Sequence, residues 1–224
     1  MDVLLEALTL SKFSHQNIVK CLGISADKSA LMLVLEFLPG GDLKSFLREM
    51  SENEEMSLSC LNLQEKLDIC LDVSRACQYL HDIKFIHRDI AARNCLLTSK
   101  GTDKIVKLAD FGLARDILTS DYYRPTESRL IPWRWMPIES LVDGYFSNKT
   151  DVWSFGVLVW EVFTYGQVPY SSFKSWIELS IYIRDGGRLE KPQDCPDELY
   201  SLMTTCWRNE YVNRPSFQDI TRTI

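Results

Sequence analysis

Apolar residues recur at helical spacing in several parts of the chain. Near the start, Val3, Leu4, Ala7 and Leu8 share one face and predict a helix. A longer stripe with the same period predicts a long amphipathic helix in the first half of the chain. It consists of Leu63, Leu67, Cys70, Val73, Cys77 and Leu80.

The second half of the chain is richer in predicted helices. Val152–Thr164 is apolar on nearly every side, which predicts a helix buried in the middle of the domain. Further helices are predicted over Trp176–Arg184, over Asp197–Trp207 and from Pro215, a residue that suits a first helical turn. From Ile86 to Arg115 the pattern breaks into short strands and charged turns.

Two apolar runs between the first helix and the long stripe predict β-strands. They are Ile18–Leu22 and Leu31–Glu36, and Ala26–Ser29 between them has the composition of a hairpin turn. Pro39–Gly41 then interrupts the apolar pattern and predicts a hinge. Asp42 directly after the hinge is a suitable cap for another helix.

The composition is that of a globular protein with a substantial core. The chain has 224 residues, of which 46% are hydrophobic, and this length allows one large domain or two small ones. The net charge of −6 argues against nucleic acid as a partner, because nucleic-acid binders concentrate positive charge in a patch.

The cysteines and the apolar stretches indicate the cellular setting. Seven cysteines are present and none forms a C-x-x-C pair, so we expect free thiols in a reducing compartment rather than a zinc site. No signal peptide opens the sequence and no apolar stretch is long enough to span a bilayer. Any membrane anchor is therefore expected outside these residues.

The strongest chemical signal is the segment from His87 to Asn94, His-Arg-Asp-Ile-Ala-Ala-Arg-Asn, followed sixteen residues later by Asp110-Phe111-Gly112. Phosphoryl transfer needs a base that orients the attacking hydroxyl, and oxygen ligands that hold magnesium. Asp89 can serve as the base, while Asn94 and Asp110 offer an amide and a carboxylate oxygen. Each short motif alone is weak evidence, whereas the ordered pair at this spacing is the protein-kinase signature.

The first motif resembles the catalytic loop of tyrosine kinases, in which Ala-Ala-Arg replaces the lysine-containing sequence of serine/threonine kinases. The resemblance implies that Asp89 is the catalytic base and that Arg93 neutralises charge near the accepting hydroxyl. Ile131–Met136 resembles the shelf that sets the depth of a substrate tyrosine and selects it over the shorter serine. Both features argue against a serine/threonine kinase.

Similarity to receptor tyrosine kinases covers essentially the whole chain. The segments that carry it are Leu5–Ala7, Ser11–Val19, Gly40–Arg48, Asp116–Ile117 and Asp121–Arg124. They look most like the anaplastic lymphoma kinase and leukocyte tyrosine kinase group, with the Ros receptor group second. The resemblance implies the α+β protein-kinase fold. Residues 1–38 would be a remnant of the small lobe, and residues 39–224 a mostly helical large lobe, complete to near its last helix.

The resemblance also implies a nucleotide site. The expected cofactors are ATP and Mg²⁺, with the metal held by Asn94 and Asp110. Leu35 would be the gatekeeper, and Leu96 the apolar floor under the adenine ring. The backbone groups of Glu36 and Leu38 in the hinge would face adenine, and Asp42 would contact the ribose.

Tyr122 and Tyr123 are candidate autophosphorylation sites. They lie in a charged, proline-bearing stretch, Asp121–Arg129, which is typical of an exposed activation loop. Phosphates there would pair with arginines such as Arg88 and order the loop. The alternative is that both tyrosines pack in the interior.

Further residues receive structural or regulatory roles from the resemblance. Glu6 would be the helix partner of a strand lysine. Asp151, at the start of the buried helix, is expected to bind the backbone of the catalytic loop. Glu139 and Arg214 are expected to pair and to tie the activation segment to the last helices. His87 is expected to be a structural histidine rather than a proton carrier.

The small lobe departs from the family pattern. No Gly-x-Gly-x-x-Gly loop is present, and Lys12, the first lysine, is placed on the same helix as Glu6 but on another side, so it cannot be its partner. Three strands of the small lobe are therefore expected to be absent. We expect the chain to be a fragment whose own activity is severely impaired, because phosphoryl transfer depends on positioning.

The implied function is that of a receptor protein tyrosine kinase, which transfers the γ-phosphate of ATP to protein tyrosines in transmembrane signalling. Its implied partners are tyrosine-containing substrates, phosphotyrosine-binding adaptors and a second receptor copy for trans-phosphorylation. The implied location is the cytoplasmic side of the plasma membrane. The alternative is a catalytically dead kinase-like module that serves as an interaction or scaffold protein.

Overall fold

The computed structural model describes residues 3–27, 30–52, 61–116 and 131–224. Within these ranges the α-helices are α1 (Val3–Leu10), α2 (Leu43–Glu52), α3 (Leu63–Asp82), α4 (Ile138–Val142), α5 (Asn148–Phe163), α6 (Trp176–Arg184), α7 (Asp197–Cys206) and α8 (Phe217–Thr223). The β-strands are β1 (Cys21–Asp27), β2 (Ala30–Leu35), β3 (Phe85–Ile86), β4 (Cys95–Leu97), β5 (Val106–Leu108) and β6 (Arg115–Asp116).

The described strands pair as three small antiparallel sheets. β1 pairs with β2, β3 with β6, and β4 with β5. The register of the first sheet sets Asp27 opposite Ala30, so the predicted hairpin is present, although Ala26 and Asp27 belong to β1 rather than to the turn. The pairing of β3 with β6 closes the segment from Phe85 to Asp116, and the β4–β5 sheet lies within that segment.

The predicted first strand is wrong at its start. β1 begins at Cys21, whereas Ile18 and Val19 are buried beside β5. The Val19 N–H donates to the Leu108 carbonyl at 2.9 Å, and Ile18 forms a parallel bridge with the same residue. Their apolar character reflects core packing against β5, which a local pattern does not separate from a strand of the hairpin.

Helix ends follow local capping. Asn62 Oδ1 accepts the Glu65 N–H at 2.9 Å, and Glu65 Oε2 accepts the Asn62 N–H at 3.1 Å, which fixes the start of α3. The same reciprocal arrangement of Ser147 and Thr150 starts α5. α5 therefore begins four residues before the predicted apolar segment, because a cap rather than hydrophobicity determines where the helix starts.

α5 forms the centre of the hydrophobic core, as its all-round apolar pattern predicts. Trp153, Phe155 and Val157 have essentially no exposed surface, and α3 and α7 pack against the helix. Gly156 permits the closest approach. A Cβ atom there would lie 2.6 Å from Trp207 Nε1 and 3.0 Å from Cys206 Cβ.

The described residues include six cysteines, all of them free thiols, while Cys60 lies outside the described ranges. No helix in those ranges combines the length and the apolarity that a membrane crossing requires.

We expect Gly156→Ala to lower the free energy of unfolding by about 1–3 kcal/mol, because the added methyl group overpacks the contact between α5 and α7. Urea unfolding followed by circular dichroism measures the change. Ser201→Ala, on the exposed face of α7, is the control and should stay within about 0.5 kcal/mol of wild type. Equal stability of the two variants would contradict the packing argument.

Candidate active site

The segment His87–Asn94 forms the loop between β3 and β4, and Asp151 at the start of α5 holds it in place. Asp151 Oδ1 accepts the Arg88 N–H and Oδ2 accepts the His87 N–H, both at 2.8 Å. His81 Nε2 lies 3.1 Å from Asp151 Oδ2. These bonds compensate for burial of the carboxylate and fix Arg88 at a φ of 71°, a left-handed conformation that is strained for this residue type.

The His87 ring connects the loop to the segment before Asp110. Its Nδ1 accepts the Asp89 N–H at 3.3 Å, and its Nε2 lies 3.1 Å from the Ala109 carbonyl oxygen. Because a carbonyl oxygen only accepts, Nε2 carries the proton and donates it to this bond. Both ring nitrogens are therefore occupied in a fully buried site, which is the structural arrangement that the sequence predicted for this residue.

Asp89 and Arg93 form an ion pair within the loop. The Arg93 guanidinium also stacks on the Trp135 ring, with Cζ 4.2 Å from the ring centroid. Asn94 Nδ2 donates to the Asp89 carbonyl oxygen at 2.8 Å. The predicted base, the predicted arginine and the predicted amide ligand are thus brought together, and the base is held at its backbone and its side chain.

Asn94 and Asp110 offer a donor set that fits a hard divalent cation. Because Nδ2 of Asn94 donates to the loop backbone, its amide oxygen is the atom that remains for a metal. The Ala109 N–H donates to the Asn94 carbonyl at 2.8 Å and links the two segments. Two oxygen ligands of this kind suit Mg²⁺, which usually completes its octahedron with water and phosphate oxygens.

Asp110 is exposed, whereas the next residue is buried. Asp110 has a φ of 56°, and its Oδ1 accepts the Gly112 N–H at 3.3 Å. The Phe111 ring packs 5.1 Å from the Phe13 ring and 4.8 Å from the His87 ring, measured between centroids. Burial of Phe111 therefore turns the preceding carboxylate outward, and the left-handed backbone of Asp110 is a conformation that is uncommon for this residue type.

The hinge carries an ion pair that sequence reasoning missed. The Glu36 carboxylate accepts the Lys20 N–H at 2.8 Å and pairs with Lys107 Nζ at 2.7 Å. Partial burial alone would raise the pKa of Glu36, but the Lys107 ammonium and the Lys20 N–H outweigh it and lower that pKa. No hydrogen bond among the described residues uses the Glu36 carbonyl or the Leu38 N–H, so these hinge groups remain available for a base edge.

The chain behind the hinge approaches β4 closely. The Gly40 N–H donates to the Leu97 carbonyl at 3.0 Å, and a Cβ at Gly40 would lie 2.6 Å from that carbonyl oxygen. Asp42 forms a bridge with Leu96, and its Oδ1 accepts the Ser45 N–H at 2.9 Å at the start of α2. Its carboxylate is therefore engaged as a helix cap, in addition to the ribose contact implied by resemblance. Leu96 and Leu35 are half-buried against the core.

Glu6 on α1 faces Asp110. Partial burial and repulsion from the Asp110 carboxylate raise the pKa of Glu6. Among the described residues no lysine or arginine forms an ion pair with it. Lys12 lies beyond the end of α1 at Leu10, with Nζ 5.4 Å from the Phe85 ring centroid. Its placement on the same helix as Glu6 was wrong, although the conclusion that it does not pair with Glu6 agrees with the structure.

Glu139 and Arg214 form a buried bidentate ion pair. Arg214 donates to Glu139 Oε1 at 2.6 Å and to Oε2 at 3.0 Å, and it also donates to the backbone carbonyls of Lys149, Arg208 and Asn209. The pair connects α4, which follows Ile131–Met136, to the segment before α8.

Tyr122 and Tyr123 lie outside the described residues.

Comparison with known proteins identifies the relatives of this chain. Residues 1–224 match the family described as protein tyrosine and serine/threonine kinase. The whole chain is 47% identical to Protein sevenless of Drosophila virilis and covers 9% of its length. It is 46% identical, again over the whole chain, to the leukocyte tyrosine kinase receptor of Mus musculus, of which it spans 25%. Over 96% of the chain it is 48% identical to the proto-oncogene tyrosine-protein kinase ROS of Gallus gallus, of which it covers 9%.

Removal of one partner of the buried pair should be strongly destabilising. We expect Arg214→Met to lower the free energy of unfolding by about 3–5 kcal/mol, since Glu139 is left buried without a counter-charge. The double variant Glu139→Met/Arg214→Met should recover part of this loss in urea unfolding. A double variant less stable than the single one would show that the charge of Glu139 is not what destabilises Arg214→Met.

Proposed function

Because the chain belongs to the protein tyrosine and serine/threonine kinase family, whose members use ATP and a divalent metal ion, we propose that it is a catalytic part of a receptor protein tyrosine kinase. The observation that carries the proposal is the direct contact of Asp89 with Arg93 and Asn94, in a loop whose Asn94 carbonyl accepts the N–H of Ala109, the residue before Asp110. We propose Mg²⁺ as the metal, on the strength of the amide and carboxylate oxygens at Asn94 and Asp110.

Each residue of the site then has a definite task. Asp89 accepts the hydrogen bond of the incoming tyrosine hydroxyl and orients its oxygen for in-line attack. Arg93 balances charge beside that hydroxyl. Asn94 and Asp110 hold the metal, and bound Mg-ATP supplies the phosphoryl group together with charge neutralisation. The Glu36 carbonyl and the Leu38 N–H read the adenine edge, with Leu96 below the ring and Leu35 behind it. Asp42 contacts the ribose.

Selectivity for tyrosine is supported by the rigidity of Ile131–Met136. Arg134 donates to the Phe173 carbonyl at 2.9 Å and to the Tyr170 carbonyl at 3.1 Å, while its Cζ lies 3.8 Å from the Trp133 ring centroid. A segment fixed in this way sets a constant distance between a bound side chain and Asp89. The longer phenol reaches the base at that distance, whereas serine falls short.

The receptor assignment draws on the leukocyte tyrosine kinase receptor, and the name of the ROS relative adds support for a tyrosine kinase. In this proposal residues 1–38 belong to the small lobe and residues 39–224 to the large lobe. The kinase acts at the cytoplasmic side of the plasma membrane on tyrosine-containing proteins. Two copies phosphorylate each other at Tyr122 and Tyr123, and adaptors bind the resulting phosphotyrosines.

The full-length protein is expected to phosphorylate tyrosine peptides. Asp89→Asn should lower kcat by about 10²–10⁴-fold, because an amide cannot accept the hydroxyl proton. Asp185→Asn, an exposed aspartate at the end of α6, is the matched control and should keep wild-type kcat. Phosphate transfer to a tyrosine peptide is measured at saturating Mg-ATP. Full activity of Asp89→Asn would exclude Asp89 as the base.

Calorimetric titration with Mg-ATP separates the kinase from a catalytically dead interaction module. The full-length protein should bind Mg-ATP, and Asp110→Asn should weaken binding only when magnesium is present. A full-length protein that binds no nucleotide would overturn the enzyme proposal and favour the scaffold alternative.

A further inference from the structure

A carboxylate with no assigned task, that of Glu161, lies near the C-terminal end of α5. Glu161 has no exposed surface. Its Oε2 accepts the Ala92 N–H and the Trp135 indole Nε1–H, both at 2.9 Å. Ala92 belongs to the catalytic loop and Trp135 to Ile131–Met136, so a single oxygen atom joins the two segments.

This arrangement is costly for the fold. Glu161 Oε1 is also buried, and no hydrogen bond in the described ranges uses it. Burial raises the pKa of Glu161, while the hydrogen bonds from Ala92 and Trp135 act in the opposite direction. All other residues from Phe155 to Phe163 are apolar, and an apolar side chain would pack at Glu161 without the desolvation penalty. A half-satisfied carboxylate in such a place indicates a role other than packing.

The contacts beyond Glu161 lead to the base. The Trp135 ring, whose edge is held by Glu161, carries the Arg93 guanidinium on its face at 4.2 Å. Arg93 in turn pairs with Asp89. The Ala92 N–H bound by the same oxygen belongs to the residue directly before Arg93. Glu161 thus restrains Arg93 both through its backbone and through the surface on which its side chain rests.

We propose that Glu161 is a positioning residue that sets Arg93, and through it Asp89, in register with the substrate-binding segment Ile131–Met136. The inference rests on the proposed kinase function. It assigns Glu161 no contact with substrate or nucleotide. The consequence is that the base and the surface that sets the depth of the phenol cannot shift independently, because both are attached to one buried oxygen.

Two substitutions that nearly preserve the length of the Glu161 side chain test the role of its Oε2 atom. Glu161→Gln keeps an acceptor for both N–H groups, whereas Glu161→Met keeps the length of the side chain and removes both oxygens. Val162→Ala, also fully buried on α5, is the control for general damage to the helix. In the full-length protein we expect Glu161→Met to lower kcat at least about ten-fold with little change in KM for ATP, since small displacements of reacting groups cost large factors in rate. Glu161→Gln should stay within about three-fold, and Val162→Ala should keep wild-type kcat.

A double variant tests whether Glu161 acts through Arg93. If it does, Arg93→Ala/Glu161→Met should be scarcely slower than Arg93→Ala alone, because residues that act as a unit are non-additive. Amide hydrogen exchange at Ala92 provides a readout without turnover. Protection should persist in Glu161→Gln and fall at least about ten-fold in Glu161→Met.

The outcomes separate this inference from the proposed function. If the wild-type protein is active and Glu161→Met has the same kcat as Val162→Ala, the positioning role of Glu161 is overturned, while the kinase proposal stands. Multiplicative losses in the double variant also overturn it, since Glu161 would then act independently of Arg93. An inactive wild-type protein overturns the kinase proposal itself, and unchanged protection of Ala92 in Glu161→Met shows in addition that the buried oxygen does not hold the loop.

Discussion

The buried carboxylate of Asp151 is the constraint on which the catalytic loop depends. It binds two successive backbone amides of the loop and thereby holds Arg88 in a left-handed conformation. The turn at Arg88 directs Asp89 toward Arg93 and leaves the Asp89 N–H facing the His87 ring. Without two acceptor oxygens at this point, buried N–H groups would be stranded and the strained backbone would have no reason to persist.

α5 serves as the frame for the site because three of its polar side chains lie on one side of the helix and bind the surrounding loops. Asp151, Ser154 and Glu161 follow helical spacing, and each binds a different part of the surrounding chain. Ser154 Oγ donates to the Trp135 carbonyl at 2.7 Å. The remaining faces of α5 are packed against α3 and α7. Packing against α3 and α7 thus supports the polar contacts that α5 makes with the loops of the site.

The sequence predicted most helices of this fold, since their apolar periodicity is a local property. The assignment of the chemistry to His87–Asn94 and Asp110 stays a prediction, but the sequence did predict residues that the fold joins, since Asp89 contacts both Arg93 and Asn94. It failed at Ile18 and Val19, where burial against β5 imitates a strand. The pair of Glu36 and Lys107 was missed because two charges 71 positions apart leave no local signal. For Glu161, one acidic residue within an apolar helix was a visible signal whose partners only the fold reveals.

The bonds made by Asp151 also bear on the order in which the molecule can assemble. The amide of His87 and its acceptor are separated by 64 positions in the chain. At a synthesis rate of roughly 5–20 residues per second, the loop emerges about 3 to 13 seconds before the carboxylate that holds it. During that interval the Asp151 carboxylate, which holds Arg88 in its left-handed conformation, has not yet been synthesised. The nascent chain therefore carries all the residues of the loop His87–Asn94 before that loop can take its shape, which it acquires only when α5 has been synthesised.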